Sequence, residues 1–128
     1  MSDRKGFTFI ELVVVVTVIG LLTAIVVPKL RRFKDRVYVA AMKSDLRTFA
    51  MHEESYYYDR ATYTDEVAKL AAAGYRTSPE VSVTVNEATI LGWSATATHT
   101  VIPVKCYVFI GDAAPVGTST SEGTVACS

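Results

Sequence analysis

Within KGFTFIELVVVVTVIGLL, beginning at Lys5, a single carboxylate interrupts a run that is otherwise without charge from Phe7 to Val27. That carboxylate is Glu11. A lone acid in a segment long enough to cross a bilayer costs about 2 to 3 kcal/mol or more, so its presence calls for a partner. Cutting the chain between Gly6 and Phe7 would make one, because the new α-amine on Phe7 lies one helical turn from Glu11. An ammonium and a carboxylate in a low-dielectric setting neutralise each other, within one chain or between neighbouring copies. The same cut removes Arg4 and Lys5 and leaves an apolar N-terminal spike. Such a spike must lie in lipid or pack against other copies of itself.

The remaining chemistry-bearing residues are sparse. Cys106 and Cys127 are the two cysteines of the chain. Behind an export-type N-terminus an even count reads as one disulfide in an oxidising compartment; a pair of buried free thiols in a cytosolic protein is the other reading. A bridge would close a loop of roughly 20 residues and contribute about 3 kcal/mol by chain entropy. His52 and His99 are isolated and lack the ligand spacing of a zinc site. Asp112 and Glu122 fall short of the oxygen count that calcium prefers. The sequence holds no G-x-S-x-G elbow and no phosphate-binding glycine loop. No enzyme activity, cofactor or metal is expected. Tyr56, Tyr57 and Tyr58 read as a helix end divided between core and surface, and a formal net charge of zero gives no reason to expect nucleic acid.

The elements that position these residues begin with the apolar run itself. At 1.5 Å per residue it spans about 31 Å, enough for a hydrocarbon core. It is too long for the apolar stretch of an ordinary secretory signal, and no small-residue cleavage site follows it. A plain single-pass anchor fits the length but leaves Glu11 unexplained. Basic residues after the run (Lys29, Arg31, Arg32, Lys34 and Arg36) outnumber those before it. By the positive-inside rule alone this would place the C-terminus in the cytoplasm, but the rule decides less when a long domain is translocated.

Beyond the run, residues 29–58 contain neither glycine nor proline. Val39, Met42, Leu46, Phe49, Glu53 and Tyr56 recur at spacings of three and four, which marks one face of a helix. The pattern predicts a single helix over residues 7–58, apolar all round in its first half and amphipathic in its second, with Val39, Met42, Leu46 and Phe49 docking a head. Pro28 and Gly20 are its weak points, and a kink or local opening is expected at Pro28. Thr64 reads as an N-cap and Gly74 as a stop for a short helix over residues 65–73. Alternating runs at Val81, Val83 and Val85, at Trp93, Ala95 and Ala97, and at Val104, Cys106, Val108 and Ile110 predict three antiparallel strands. Asn86 and Glu87 would separate the first two, and residues 99–103 the last two. A glycine- and serine-containing loop over residues 111–123 leads to an edge strand ending at Cys127. The fold class is α+β, a long N-terminal helix packed on a small antiparallel sheet.

Gly6, Phe7, Thr8, Phe9, Ile10 and Glu11, after a short basic leader and before a long apolar helix with Pro28 past its end, resemble the N-terminus of type IV pilins and related pseudopilins. The resemblance covers about residues 5–30; in the head it is one of architecture. It implies a leader (residues 1–6), a transmembrane and filament-core helix (residues 7–28), an amphipathic continuation (residues 29–58) and a pilin-like head with a C-terminal disulfide loop (residues 59–128). It implies that a prepilin peptidase cuts after Gly6 and N-methylates Phe7, and that Glu11 pairs with the Phe7 amine of a neighbouring subunit. Gly20 and Pro28 would supply helix flexibility in the filament. The expected partners are other copies of the chain, the peptidase, an inner-membrane assembly platform and, before assembly, the lipid bilayer. The head would face the periplasm and finally the cell exterior. Two other readings stand beside this one: a pseudopilin of type II secretion or DNA uptake, and a single-pass anchored binding protein that does not polymerise. Calcium occurs in major pseudopilins of type II secretion, and none is expected here.

Overall fold

The computed structural model describes residues 5–128. The expected leader therefore lies largely outside the described residues, with only Lys5 and Gly6 inside them. The chain divides into two compact units, Met1–Asp35 and Arg36–Ser128, and helix α1 (Phe9–Arg60) passes through the boundary.

In the first unit the chain has no regular structure over residues 5–8 and is helical from Phe9 onward. The start is two residues later than the hydrophobic pattern predicts, because Thr8 is recruited as the cap. The side chains of the apolar run are exposed throughout. Two polar residues in it satisfy their own hydroxyls: Thr17 donates to the Val13 carbonyl at 2.7 Å and Thr23 to the Gly20 carbonyl at 2.9 Å. The helix continues through Gly20 and Pro28 without interruption. Proline deletes one backbone donor, the one that would meet the Ala24 carbonyl, and in this unit that loss does not end the helix.

In the second unit α1 ends at Arg60, two residues beyond the expected end. Ala61 adopts φ 55° and its N–H bonds the Tyr57 carbonyl, which turns the chain out of the helix. Helix α2 (Val67–Ala72) follows. It is shorter than predicted, and Glu66 rather than Thr64 occupies the N-cap position. The Thr64 hydroxyl instead accepts from the Glu66 N–H at 3.1 Å, a local turn that delays the first helical residue. The stop is where glycine places it. Gly74 has φ 105°, its N–H bonds the Ala71 carbonyl, and the Tyr75 N–H bonds the Leu70 carbonyl. That pair of bonds caps the helix C-terminus.

Strands β1 (Val81–Ala88), β2 (Gly92–His99), β3 (Lys105–Gly111) and β4 (Ala126–Cys127) form one antiparallel sheet in sequence order. Asn86 and Glu87 do not separate the first two strands. They lie inside β1, where the register shifts between Val85 and Glu87; such a bulge lets the strand keep pairing after the alternation is broken. The real turn is Thr89 to Leu91. There the Thr89 hydroxyl accepts the Leu91 and Gly92 N–H groups, both at 3.0 Å.

The core lies between one face of the sheet and the face of α1 that carries Met42, Leu46 and Phe49. These three are completely buried with Leu70, Trp93, Ala95, Ala97 and Cys106, and Tyr75 and Val108 close the cluster. The Phe49 ring meets Trp93 at 5.2 Å and Tyr75 at 5.4 Å, both edge-on, the geometry aromatic quadrupoles favour. Val39 is partly buried against the same cluster. Asp45, on this face and 6% exposed, accepts both the N–H and the hydroxyl of Ser78. On the other face of the sheet, Ser94 and Phe109 are paired in register and buried. The C-terminal loop is tied down there, with the Gly123 N–H on the Phe109 carbonyl.

Candidate assembly and processing site

The segment that precedes α1 is irregular and exposed. Gly6 and Phe7 lie in irregular chain, and Phe7 is 91% exposed. Apart from its two chain neighbours, no described residue comes within 4 Å of where a Gly6 Cβ would stand. A peptide bond in this setting is free of helical hydrogen bonds and open to an enzyme.

Immediately after it, Thr8 and Glu11 make a reciprocal pair. The Thr8 N–H donates to Glu11 Oε2 at 3.0 Å, and the Glu11 N–H donates to Thr8 Oγ1 at 3.3 Å. This is a capping box, in which two of the orphan donors at a helix start are satisfied by each other's side chains. It also puts a negative charge at the positive end of the helix dipole. Thr8, Phe9, Ile10 and Glu11 spell the T-x-x-E signature of such a box, so this role of Glu11 was legible in the sequence beside the counter-charge reading. Phe7 and Glu11 line one surface cleft with Lys5 and Gly6, and a second, mostly apolar one with Ile10, Val14 and Val15. The acid thus sits at the helix mouth with an apolar side chain beside it.

The basic stretch that follows the apolar run is solvent-exposed over residues 29–36. Among the described residues the one ion pair is Lys69 with Glu66, at 2.9 Å, so these cations have no intramolecular salt bridge. Several acidic side chains farther along the chain are engaged within the head. Glu53 is completely buried and belongs to the core. Glu54 accepts the Tyr63 hydroxyl at 3.0 Å, and Glu66 is engaged by Lys69. The periodicity had already put Glu53 on the docking face, and its burial follows from that position.

In the head, Cys106 and Cys127 form a disulfide. They are directly opposite in the β3–β4 ladder, and Lys105 and Ser128 exchange backbone hydrogen bonds at 3.0 Å beside them. The bridge holds a two-residue edge strand that backbone pairing alone would hold weakly. His52 meets the edge of Tyr75, while His99 stacks on Tyr38 at 4.3 Å and accepts the Val101 N–H on Nδ1. Asp112 accepts the Thr89 hydroxyl and Glu122 accepts the Gly111 N–H, so both carboxylates of the final loop tie backbone segments together. Of the tyrosine run, Tyr58 is exposed, Tyr56 is half-buried and Tyr57 stacks on Tyr63 at 4.7 Å.

Residues 1–27 match the family model described as the prokaryotic N-terminal methylation motif. The chain is similar to the type IV wide pilus major component PilA4 of Thermus thermophilus, with 32% identity over 79 residues, covering 62% of this chain and 60% of that protein. It is 32% identical over 82 residues to the type IV major pilin protein PilA of Myxococcus xanthus, covering 59% of this chain and 37% of the relative. Similarity extends to the type II secretion system core protein G of Pseudomonas aeruginosa, with 37% identity over 61 residues, covering 48% of this chain and 43% of the relative. The chain thus spans between about two fifths and three fifths of the length of these relatives.

Proposed function

We propose that this chain is a structural subunit of a type IV pilus-like filament, matured by cleavage after Gly6 and N-methylation of Phe7. The observation that carries this reading is the methylation motif over residues 1–27, set on an exposed Gly6–Phe7 bond one helical turn before Glu11. The protein works by assembly rather than catalysis, and it is itself the substrate of a processing enzyme.

Before assembly the apolar part of α1 holds the subunit in the inner membrane; α1 contains an 18-residue stretch apolar enough to cross one, none of it buried within the protein. In the filament these exposed side chains pack against those of other copies. Glu11, while its own chain is uncut, is occupied by its capping box. Cleavage supplies an amine, and the Phe7 amine of a neighbouring subunit then gives the carboxylate a charged partner that offsets its desolvation. Assembly is thereby linked to processing and to register. Gly20 and Pro28 allow the core helix to open locally when the fibre is strained. An inner-membrane assembly platform and the peptidase are the partners this sequence of events requires, and the head ends outside the cell.

The similarity to a type II secretion core protein supports a second reading, a pseudopilin of a secretion or uptake machine, which shares all of the N-terminal chemistry. Intact mass and N-terminal sequencing of protein from its native membrane test the class. A chain beginning at methylated Phe7 is expected; one beginning at Met1 favours a single-pass anchored protein and removes the proposal. Electron microscopy of the cell surface then separates long fibres from short periplasmic ones.

A further inference from the structure

Glu53 is the one completely buried carboxylate of the head. Its Oε2 accepts the Thr64 N–H at 3.1 Å, and its Oε1 has no hydrogen-bond partner. Among the described residues one other buried side-chain atom is left in the same condition, the indole Nε1 of Trp93. A chain of contacts joins them. Phe49, one turn before Glu53 on α1, packs edge-on against Trp93. Tyr63, beside Thr64, donates its N–H to the Thr89 carbonyl, and the Thr89 N–H donates to the Gly92 carbonyl, next to Trp93. The residues that carry the unpartnered acceptor and the unpartnered donor are thus linked through the 63–64 segment and the Thr89 turn.

The electrostatic surroundings favour a neutral acid. Burial is the largest influence and raises the carboxyl to about 7; the Thr64 N–H works against it, and the negative charges of Glu54 and Asp65 add to it. Tyr63 faces the same group from the 61–66 segment, and β2 brings the uncharged Trp93. Among the described residues no cation forms a salt bridge with Glu53, and an uncompensated buried charge is the costliest state available to this site.

We propose that Glu53 is a proton-operated latch on the segment of residues 61–66. As a neutral acid it stays inside and holds Thr64. Once it gives its proton to water, the carboxylate moves toward solvent, the Thr64 N–H loses its anchor, and water reaches the Trp93 indole. Tyr63 is carried by the released segment, so its stacking on Tyr57 and its hydrogen bond to Glu54 loosen with it. The exposed end of α1 therefore changes its surface with pH near neutrality. This inference concerns the head alone and does not depend on whether the protein polymerises.

Trp93 is the only tryptophan of the chain, so its fluorescence reports on this site without interference. Full-length protein in detergent micelles should show a red shift of emission with a midpoint near 7. Over the same range, hydrogen exchange in residues 61–66, corrected for the intrinsic pH dependence, should accelerate about tenfold per pH unit as the midpoint is approached from below and level off above it. Glu53→Gln should abolish both changes and keep the segment protected throughout. If that variant does not fold, infrared difference spectra of the unaltered protein serve instead: a protonated-carboxyl stretch should vanish across the same midpoint. Flat emission, an identical transition in Glu53→Gln, unchanged exchange in residues 61–66, or no protonated-carboxyl band below neutrality each overturns the latch.

Discussion

Thr8 and Glu11 cap the first turn of α1 reciprocally: the Thr8 N–H donates to Glu11 Oε2 at 3.0 Å and the Glu11 N–H donates to Thr8 Oγ1 at 3.3 Å. The two residues therefore share a structural task before any neighbour arrives, and Glu11 carries a second one in the proposed filament. The tasks separate by mutation. Glu11→Gln keeps a hydrogen-bonding side chain at the third helical position but removes the charge, and should cut filament yield at least tenfold while the membrane level stays constant. Thr8→Ala should cost about 1 kcal/mol of helix-start stability and leave filaments assembling. Immunoblots of sheared and membrane fractions decide between them; equal filament yield from Glu11→Gln and unaltered protein contradicts the counter-charge role.

Among the described residues the exposed cations of residues 29–36 form no ion pair, and acidic side chains lie farther along α1 and beyond it, at Glu54, Asp59 and Asp65. Pairing between neighbours in a filament would use both sets. The double charge reversal Arg31→Glu with Arg32→Glu should lower filament yield, and the loss should shrink at high salt as screening weakens all such pairs. Undiminished yield at low salt would show that these cations are simply solvated or meet lipid headgroups.

Removing the disulfide should cost the head about 3 kcal/mol, the chain-entropy value for a closed loop of this length. The bridge joins positions 21 residues apart and secures β4, which has two residues. Thermal melts of Cys106→Ser with Cys127→Ser, compared with unaltered protein, test this, and proteolysis should begin in residues 112–125 as the edge strand frays.

Stability should depend on pH through Glu53, in a direction opposite to that of most carboxylates. Its carboxyl is raised from 4.5 to about 7, chiefly by burial, so the folded state holds its proton more tightly than the unfolded one. The contribution is fully present below about 4.5 and is lost as pH rises through about 7. Glu53→Gln should therefore be more stable than the unaltered protein above neutrality, by about 3 kcal/mol, and similar to it in acid. Denaturant titrations at the two extremes give the comparison. A mutant less stable at both would show that the carboxyl is held by interactions a glutamine cannot replace.

Gly92 occupies a place where only hydrogen fits. A Cβ there would lie 2.7 Å from the Asp112 N and 2.8 Å from the Ala113 N, and closer still to the Ile110 carbonyl oxygen. All three are backbone atoms and cannot rotate away. Gly92→Ala should destabilise the head by several kcal/mol, about as much as a severe overpacking error, and circular dichroism melts will register it. Gly74→Ala meets no neighbour within 4 Å and should cost only the strain of its positive φ, about 1 kcal/mol.

What the amino-acid sequence determined by itself is whatever depends on near neighbours in the chain. The apolar run, the three-and-four spacing from Val39 to Tyr56, the strand alternation and the glycine stop at Gly74 are local patterns, and the elements lie where they point. The capping box of Thr8 and Glu11 belongs to the same class and can be read from four consecutive residues. Tertiary structure decided the rest. The bulge near Asn86 carries β1 past two polar residues because the pairing with β2 continues on both sides of it. Glu53 became a core residue because the sheet and the 61–66 segment close over the α1 face on which it sits, which turns an ordinary surface charge into a buried acid. Only contacts between segments distant in sequence set desolvation, and desolvation is what gives that carboxyl its chemistry.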